Sequence, residues 1–323
     1  MSTQFKSPHQ IEKIQISSGK RTGKLLTSSG INCLNIPTIN ITQSCLHGCV
    51  YCYANAYPWA TPEKIKLYNN LQLRLFDELK KMDMKNNLPK RVYFSSACDC
   101  FQPNEKIQKM TYDLMNLLLK KKIQVAFLTK GTICDNTLKL FKKNKDRIFA
   151  QVGLCTYDQK LSTLIEPRAG TPSQRLDLIK KLVDMGIPTS VRLDPLFIGI
   201  TDKTKLLKKL FEKLNEIGIK RIAVGYLFIR PKIKNNLKKL DNKDVNEMLD
   251  KYYKDTTKLT LKCGSSLPSL QKELRDKSFK KIKKIADKYG ITPYICGCKN
   301  ADIDSESRCN IAGDPKDIED LCT

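Results

Sequence analysis

The sequence predicts an α/β fold in which a parallel sheet of six strands curves into a partial TIM-like barrel. From about residue 38 of the 323 residues, short apolar runs alternate with helical patterns. The apolar runs are rich in Val, Ile and Phe and lack strict alternation, as parallel strands covered on both faces do. Six such units with right-handed crossovers build a (β/α)6 partial barrel. A flat doubly wound sheet has the same repeat and is the alternative architecture.

The individual elements follow from apolar periodicity and from capping signals. The helix predicted over 171–185 begins with Thr171-Pro172, an N-cap followed by proline at the first helical position, and ends at Gly186. The predicted strands are 38–42, 91–96, 123–129, 148–154, 187–193 and 221–229. The predicted helices are 62–82, 104–121, 135–145, 171–185 and 203–217.

Three regions are predicted along the chain: an N-terminal extension (1–37), the barrel (38–256) and a cysteine-containing C-terminal extension (257–323) with a helix near 268–289. No stretch is apolar over the length that a membrane span requires. The first residues also lack the apolar core of a signal peptide. We therefore expect a cytoplasmic protein with no membrane partner.

The net charge of +25, from 58 basic and 33 acidic residues, has two interpretations. A basic excess attracts polyanions and is typical of nucleic-acid-binding proteins. Most of the basic residues here are lysines, however, and many lie on polar helix faces such as 206–214 and 280–284. Arginine is the preferred residue for reading phosphates and bases. A lysine-rich solvated surface is therefore an equally good explanation.

The cysteine content points to metal binding. The chain has 13 cysteines, and in a reducing compartment spaced cysteines indicate metal ligands more than disulfides. Cys45, Cys49 and Cys52 follow the first predicted strand as C-x3-C-x2-C, with Gly48 allowing a tight turn. Three thiolates can hold three irons of a four-iron cube and leave the fourth iron open. A structural zinc knuckle and buried free cysteines are the alternatives; zinc normally requires a fourth ligand, and His47 within the loop is awkwardly spaced for that role.

Several motifs resemble one known superfamily. The segment NITQSCLHGCVYCYANAYP, residues 40–58, resembles the signature of the radical SAM superfamily and is more similar still to its spore photoproduct lyase-like (DNA repair photolyase-like) branch. The resemblance implies a partial barrel of the radical SAM type that binds a 4Fe-4S cluster and S-adenosylmethionine. Four further stretches, which extend it over about residues 38–230, resemble motifs of that branch: 95–105, 127–131, 156–176 and 186–202.

The resemblance also implies an activity. Members reductively cleave S-adenosylmethionine at the cluster, and the 5′-deoxyadenosyl radical abstracts hydrogen from a substrate. We expect a one-electron reductant such as flavodoxin or ferredoxin as partner. Nucleic acid is a candidate substrate, while a peptide or small metabolite stays open. The alternative is a non-catalytic iron–sulfur or zinc protein that binds nucleic acid through its basic surface.

Site residues carry over from the motifs by position. Cys45, Cys49 and Cys52 would bind three irons. Further positions would bind the cofactor: the Tyr51 backbone at the adenine, Ser95 and Ser96 at the methionine amine, and Lys130 at the end of the third strand.

On the fifth predicted strand, Arg192 would meet the cofactor carboxylate or ribose, and the stretch from Pro195 to Gly199 would line the adenine. An ion pair of Arg192 with Asp194 or Glu166 is the alternative. Within this stretch, Ile198 replaces a proline common in the branch.

The position of the hydrogen-donating cysteine differs from that in the branch. Spore photoproduct lyase uses a cysteine on the second strand, and Ser96 occupies that position here. Cys98 and Tyr226 are the candidates for hydrogen return, because both are oxidisable and lie near strand ends. The substitution at Ser96 also puts thymine-dimer repair in question.

A second cysteine group lies in the C-terminal extension, and it includes a C-x-C pair. Its members are Cys263, Cys296, Cys298 and Cys309, with Cys322 near the end. The first four are candidate ligands for a second iron–sulfur cluster or a zinc ion. Scattered reduced thiols are the alternative.

Overall fold

A computed structural model describes residues 14–28, 36–57, 60–61, 63–94, 96–260, 264, 266–297 and 299–303. The strands are β1 (Gln15–Gly19), β2 (Thr27–Ser28), β3 (Pro37–Ile39), β4 (Thr42–Gln43), β5 (Lys64–Tyr68), β6 (Arg91–Phe94), β7 (Gln124–Thr129), β8 (Ile148–Gly153), β9 (Thr189–Leu196), β10 (Arg221–Tyr226), β11 (Thr257–Thr260), β12 (Ser266–Ser269) and β13 (Thr292–Ile295). The helices are α1 (Leu71–Asp83), α2 (Glu105–Lys120), α3 (Asp135–Lys143), α4 (Gln159–Ile165), α5 (Pro172–Asp184), α6 (Thr204–Ile217), α7 (Pro231–Lys238), α8 (Lys243–Tyr252) and α9 (Lys272–Ala286).

The main sheet confirms the predicted partial barrel. Its strand order is β13-β10-β9-β8-β7-β6-β3-β2. All neighbouring pairs are parallel except β2 with β3. The six predicted strands therefore lie side by side in chain order. Helices connect them, so the carboxyl ends of the parallel strands meet at one edge, where ligands gather in such folds.

The C-terminal extension contributes to this sheet. Strand β13 pairs in parallel with β10, with Thr292 opposite Arg221 and Ile295 opposite Val224. The predicted boundary at residue 256 therefore does not mark the end of the barrel sheet. The run TPYI gives a weak strand signal because it is short and contains Pro293. Proline is tolerated on an edge strand, and β13 is the last strand of its sheet.

The helix predicted over 62–82 is partly wrong. Residues 64–68 form β5, and the helix begins at Leu71. Along β5, Ile65 and Leu67 are buried while Lys64 and Lys66 are exposed, which is the two-residue period of a strand. Strand β5 lies between β1 and β4 in a separate three-stranded sheet. That sheet borders the start of the cysteine loop.

The predicted helix over 171–185 is confirmed as α5. Thr171 forms a capping box with Gln174, Pro172 is the first helical residue, and Gly186 has a φ of +73°. An N-cap of this kind contributes about 1 kcal/mol. In the described part of the chain, no helix combines the length and the apolar character needed to cross a membrane.

The two faces of the sheet bury different residues. One face packs under the helices and forms the large core. On the other face, inside the barrel, Tyr93, Ala126 and Phe149 form a small apolar cluster with Ile36. Because alternate residues of a strand point to opposite faces, Gln151 lies on the same face of β8 as Phe149.

Candidate active site

The cysteine loop lies directly after β4. Cys45, Cys49 and Cys52 are each partly exposed, and the Cys52 N–H donates to the Cys49 carbonyl at 3.1 Å. Gly48 has a φ of +63°, and its missing side chain leaves room for the Arg168 guanidinium. Thiolates are the usual ligands of iron–sulfur clusters, and three of them on one turn fit a cube with one open iron. This donor set can hold the cluster that the sequence predicts.

Hydrogen bonds from distant segments fix the loop in place. The Leu46 N–H donates to Gln102 Oε1 at 2.7 Å. The Arg168 N–H donates to the His47 carbonyl at 3.2 Å, and its Nε donates to the Leu46 carbonyl. Backbone groups of Leu46 and His47, between the first two loop cysteines, are therefore satisfied by residues of the barrel, which helps to keep the loop in place.

His47 and Asp99 connect the loop to the end of β7. His47 Nδ1 lies 3.1 Å from the Arg168 carbonyl oxygen, and its Nε2 lies 3.1 Å from Asp99 Oδ2. Asp99 also accepts hydrogen bonds from the Thr129 hydroxyl at 2.8 Å and from the Lys130 N–H at 2.7 Å. Burial raises the pKa of Asp99, but His47 and these hydrogen bonds outweigh it and hold the pKa below its ordinary value. His47 thus lies between the Arg168 carbonyl and the Asp99 carboxylate, with Nδ1 hydrogen-bonded and Nε2 close to Asp99 but without a well-formed hydrogen bond.

Lys130 lies beside the loop, where its side chain is 16% exposed. Its Nζ is 3.9 Å from Glu166 Oε1 and 5.1 Å from the centre of the Tyr51 ring. Burial lowers the pKa of Lys130, but Cys49 and Glu166 together raise it above its ordinary value. The ammonium therefore stays charged next to a predicted iron ligand, in a position to meet an anionic group of a cofactor.

Glu166 is buried and holds this arrangement together. Arg175 Nη1 lies 2.6 Å from Glu166 Oε2, and the Tyr51 hydroxyl donates to Oε1. Burial opposes ionisation, yet Arg175 and Lys130 outweigh it and lower the pKa of Glu166. The Cys155 thiol lies 3.6 Å from the same carboxylate. The sequence analysis did not find Arg175; its only signal is an arginine on the buried face of α5.

Arg192 forms an ion pair with Asp194. This pair is the alternative that the sequence offered to a cofactor role for Arg192. Lys299 Nζ lies 2.7 Å from the same Asp194 oxygen. Burial raises the pKa of Asp194, but Lys299 and Arg192 outweigh it and lower the pKa. A side chain on Gly225 would come within 2.9 Å of Asp194 Cγ, so glycine makes room for the carboxylate.

Two further predicted residues lie near the loop. The Ser96 hydroxyl accepts a hydrogen bond from Asn40 Nδ2 at 2.8 Å, and its carbonyl accepts one from the Tyr53 hydroxyl. Cys98 is buried, with Sγ 3.7 Å from Asn40 Oδ1. Burial raises the pKa of the Cys98 thiol. Ser95 lies outside the described residues.

Tyr226 and Gly199 lie apart from these groups. The Tyr226 hydroxyl donates to Asp202 Oδ2 at 2.8 Å, and its ring centre is 5.3 Å from that of Phe279 on α9. The Gly199 N–H donates to Asp202 Oδ1 at 2.6 Å. Tyr226 therefore lies between the sheet and α9, and the structure does not bring it to the cysteine loop. A register shift between Val224 and Tyr226 accompanies this placement.

Of the second cysteine group, only Cys296 lies among the described residues, where it is buried. Cys263, Cys298 and Cys309 lie outside them, so a metal site in the C-terminal extension stays a prediction.

Aromatic rings and cations pair around the mouth. Arg230 Cζ lies 4.9 Å from the centre of the Tyr57 ring, and Lys299 Nζ lies 5.9 Å from that of Phe228. Tyr53, directly after the last loop cysteine, is 48% exposed. These residues come from separate segments, and no run in the sequence signals them.

Comparisons with known proteins show the superfamily and the fold. The family model described as the Radical SAM superfamily matches residues 39–210. An uncharacterised protein of Acidianus two-tailed virus is 22% identical over 247 residues, which cover 67% of this chain and 79% of that protein. The radical SAM Nα-GlyT isomerase of Pseudomonas phage M6 is 24% identical over 188 residues, 57% of this chain and 37% of that protein. A solved structure of spore photoproduct lyase complexed with dinucleoside spore photoproduct has a TM-score of 0.62 at 15% identity, covering 87% of this chain and 81% of that one.

Proposed function

This chain belongs to the radical SAM superfamily, and from that premise we propose that it is a radical enzyme whose substrate is a nucleic acid. When bound, the 4Fe-4S cluster and S-adenosylmethionine supply the radical that abstracts hydrogen. In this proposal Cys45, Cys49 and Cys52 would hold the cluster, and Lys130 would meet an anionic group of the cofactor. The barrel orients the substrate and keeps water from the reacting atoms.

One observation carries the proposal: Asp99 binds both the cysteine loop and the strand end that bears Lys130. Its carboxylate lies 3.1 Å from His47 Nε2 and accepts the Lys130 N–H at 2.7 Å. The Glu166 carboxylate then keeps the Lys130 ammonium on the side of the loop, 3.9 Å from Oε1. A positioned ammonium beside the cysteine loop can orient an anionic ligand that binds next to a cluster held by the loop. A non-catalytic cluster protein has no need of this second set of residues.

The substrate class rests on the aromatic and basic residues at the mouth. Tyr57 pairs with Arg230, Phe228 pairs with Lys299, and Tyr53 presents an exposed ring. Stacking of a base on an aromatic side chain is worth about 1–3 kcal/mol, and cations beside the rings attract the phosphates. The net charge of +25 favours the same partner. The structurally similar lyase is, by its description, complexed with a dinucleoside photoproduct.

For the return of hydrogen, we retain Cys98 as the candidate and no longer propose Tyr226. Cys98 follows β6 and is hydrogen-bonded to Asn40, which also binds Ser96. Tyr226 donates its hydroxyl hydrogen to Asp202 and packs against α9. It would have to break both contacts before it could reach a substrate at the mouth.

The test is product analysis after anaerobic reconstitution. The protein is reduced with dithionite and incubated with S-adenosylmethionine, and 5′-deoxyadenosine is quantified with DNA, RNA or a small-molecule extract present. We expect product in every arm and stimulation by one of the nucleic acids, with a variant lacking the three loop cysteines as control. No product from a demonstrably reduced cluster would favour the non-catalytic alternative. Stimulation by the extract alone would show that the substrate is not a nucleic acid.

A further inference from the structure

We propose that the C-terminal segment 296–302 supplies Lys299 as a contact for a phosphodiester of the substrate strand at the mouth of the barrel. This inference rests on the proposed function, because it assigns part of the chain to the same substrate. It also gives the C-terminal extension a role that does not depend on metal binding by its cysteines.

A buried arginine binds the residues that follow Lys299. Arg275 of α9 is 1% exposed and donates from Nε to the Leu270 carbonyl at 3.0 Å. Its Nη1 donates to Asn300 Oδ1 at 2.9 Å and to Asp302 Oδ1 at 3.0 Å. Asn300 in turn donates through its N–H and its Nδ2 to the Cys296 carbonyl at 3.0 and 3.1 Å. The guanidinium therefore holds Asn300 and Asp302, and Asn300 is tied back to Cys296, so Lys299 lies between two tethered residues.

This anchoring places Lys299 over the carboxyl end of β9. Its Nζ lies 2.7 Å from Asp194 Oδ2, and its side chain is 36% exposed. Arg192 donates to the same carboxylate oxygen. One carboxylate between two cations leaves the three groups with one net positive charge. An ammonium has three N–H donors, and the bond to Asp194 uses one of them, so Lys299 can also bind an anion.

The neighbours of Lys299 favour a nucleic-acid strand as the source of that anion. Its ammonium lies 5.9 Å from the centre of the Phe228 ring, and Arg230 two residues later lies against Tyr57. Rings beside cations match a strand, in which bases alternate with phosphates. Lys299 lies outside residues 38–230, over which the chain resembles the superfamily's motifs. We therefore assign Lys299 to the substrate and not to the cofactor.

The test compares Lys299→Met with Lys180→Met in the cluster-loaded protein. Lys180 of α5 is a matched control, because its Nζ also lies 2.7 Å from a carboxylate, that of Asp184, but on an exposed helix face. Binding of a fluorescent single-stranded DNA is measured by anisotropy over a range of salt concentrations. We expect Lys299→Met to weaken binding about 3- to 10-fold and to reduce the salt slope by about one, because one phosphate contact is lost. Lys180→Met should change neither quantity, and Lys299→Arg should restore most of the affinity.

The inference is overturned if Lys299→Met binds DNA as the wild type does, or if Lys180→Met loses as much affinity. It is also overturned if Lys299→Met loses affinity for S-adenosylmethionine but not for DNA, or if a folded Lys299→Arg variant fails to restore binding.

Iron content and thermal unfolding of each variant distinguish a lost contact from a lost fold. Failure of the proposed function is recognised separately, because the wild-type protein would then form no 5′-deoxyadenosine or would be stimulated by the small-molecule extract alone. Formation of that product together with a neutral Lys299→Met result overturns this inference alone.

Discussion

His47 Nε2 and Asp99 Oδ2 lie 3.1 Å apart, and this pair joins the cysteine loop to the end of β7. Three further donors, the N–H groups of Phe101 and Lys130 and the hydroxyl of Thr129, satisfy the same carboxylate. The loop and Lys130 are therefore positioned by one buried side chain. Changes at Asp99 should affect the whole site and not one ligand.

Asp99→Asn should destabilise the protein and lower its iron content after reconstitution. The amide presents N–H groups where the carboxylate accepts hydrogen bonds, so at least one buried donor loses its partner at a cost of about 1–3 kcal/mol. The free energy of unfolding from urea titration and the iron per chain measure the two effects. Asp113→Asn on α2, whose carboxylate pairs with Lys109 at the surface, should change neither. Equal effects of the two variants would contradict the role assigned to Asp99.

The stability of the protein should fall in acid, in part because of Glu166. Its pKa is lowered in the folded state, so its contribution is present above the unfolded value of about 4.3 and is lost as the pH falls through the folded value. At pH 7, Glu166→Gln should have a lower free energy of unfolding than the wild type, because Arg175 is left unpaired in the core. Between pH 6 and pH 3, however, the free energy of unfolding should fall less in the variant than in the wild type. Urea unfolding across this range is the measurement. The control is Glu216→Gln, from an exposed ion pair on α6, which should keep the wild-type pH dependence of stability. If Glu166→Gln also keeps the wild-type pH dependence, the prediction is wrong.

Replacing Cys45, Cys49 and Cys52 together with Ala should remove the broad brown absorption of the reconstituted protein. The physical reason is the loss of every thiolate ligand on the loop. Absorption spectra with iron and sulfide analysis measure the change, and Cys134→Ala, at an exposed cysteine, is the control. Full iron and sulfide in the triple variant would show that the cluster is not bound there. A partial loss is expected if the C-terminal extension carries a second cluster.

Lys130→Ala should weaken S-adenosylmethionine binding about tenfold, which corresponds to about 1.4 kcal/mol. The loss is that of a charge-assisted contact to the carboxylate of the cofactor. Anaerobic equilibrium dialysis with cluster-loaded protein measures it. Lys213→Ala, from an exposed pair on α6, should bind the cofactor as the wild type does. If Lys130→Ala also binds normally, the role inferred from the family resemblance does not apply at this position.

Replacing Cys296 and Cys298 with Ser should lower the metal content of the protein while the signal of the loop cluster remains. A C-x-C pair with further cysteines in the same extension provides soft ligands for iron or zinc. Metal analysis of the wild type and of the double variant decides the question. Unchanged iron and zinc per chain would mean that these cysteines are reduced, unliganded thiols.

Most of the sheet was predictable because each strand is encoded locally. Residues 123–129 and 148–154 are apolar runs of strand length, and β7 and β8 lie within them. The segment 64–68 was mistaken for helix because a strand of only five residues precedes a true helix, with just Asn69 and Asn70 between them. Strand β13 was missed because its proline and polar residues resemble a loop. It is a strand only because β10 offers an unpaired edge.

The sequence by itself determined the six β/α units and the spacing of the three loop cysteines, because these depend on short-range spacing and period, and its motifs resemble those of the superfamily. The partners of the charged side chains were determined only by the tertiary structure. Asp194 and Lys299 are 105 residues apart, and Glu166 pairs with Arg175 while Arg192 pairs with Asp194. It also decided that Tyr226 lies against α9. Such contacts depend on register and on chain segments folding over the mouth, and a buried charge takes whichever partner the fold brings within reach.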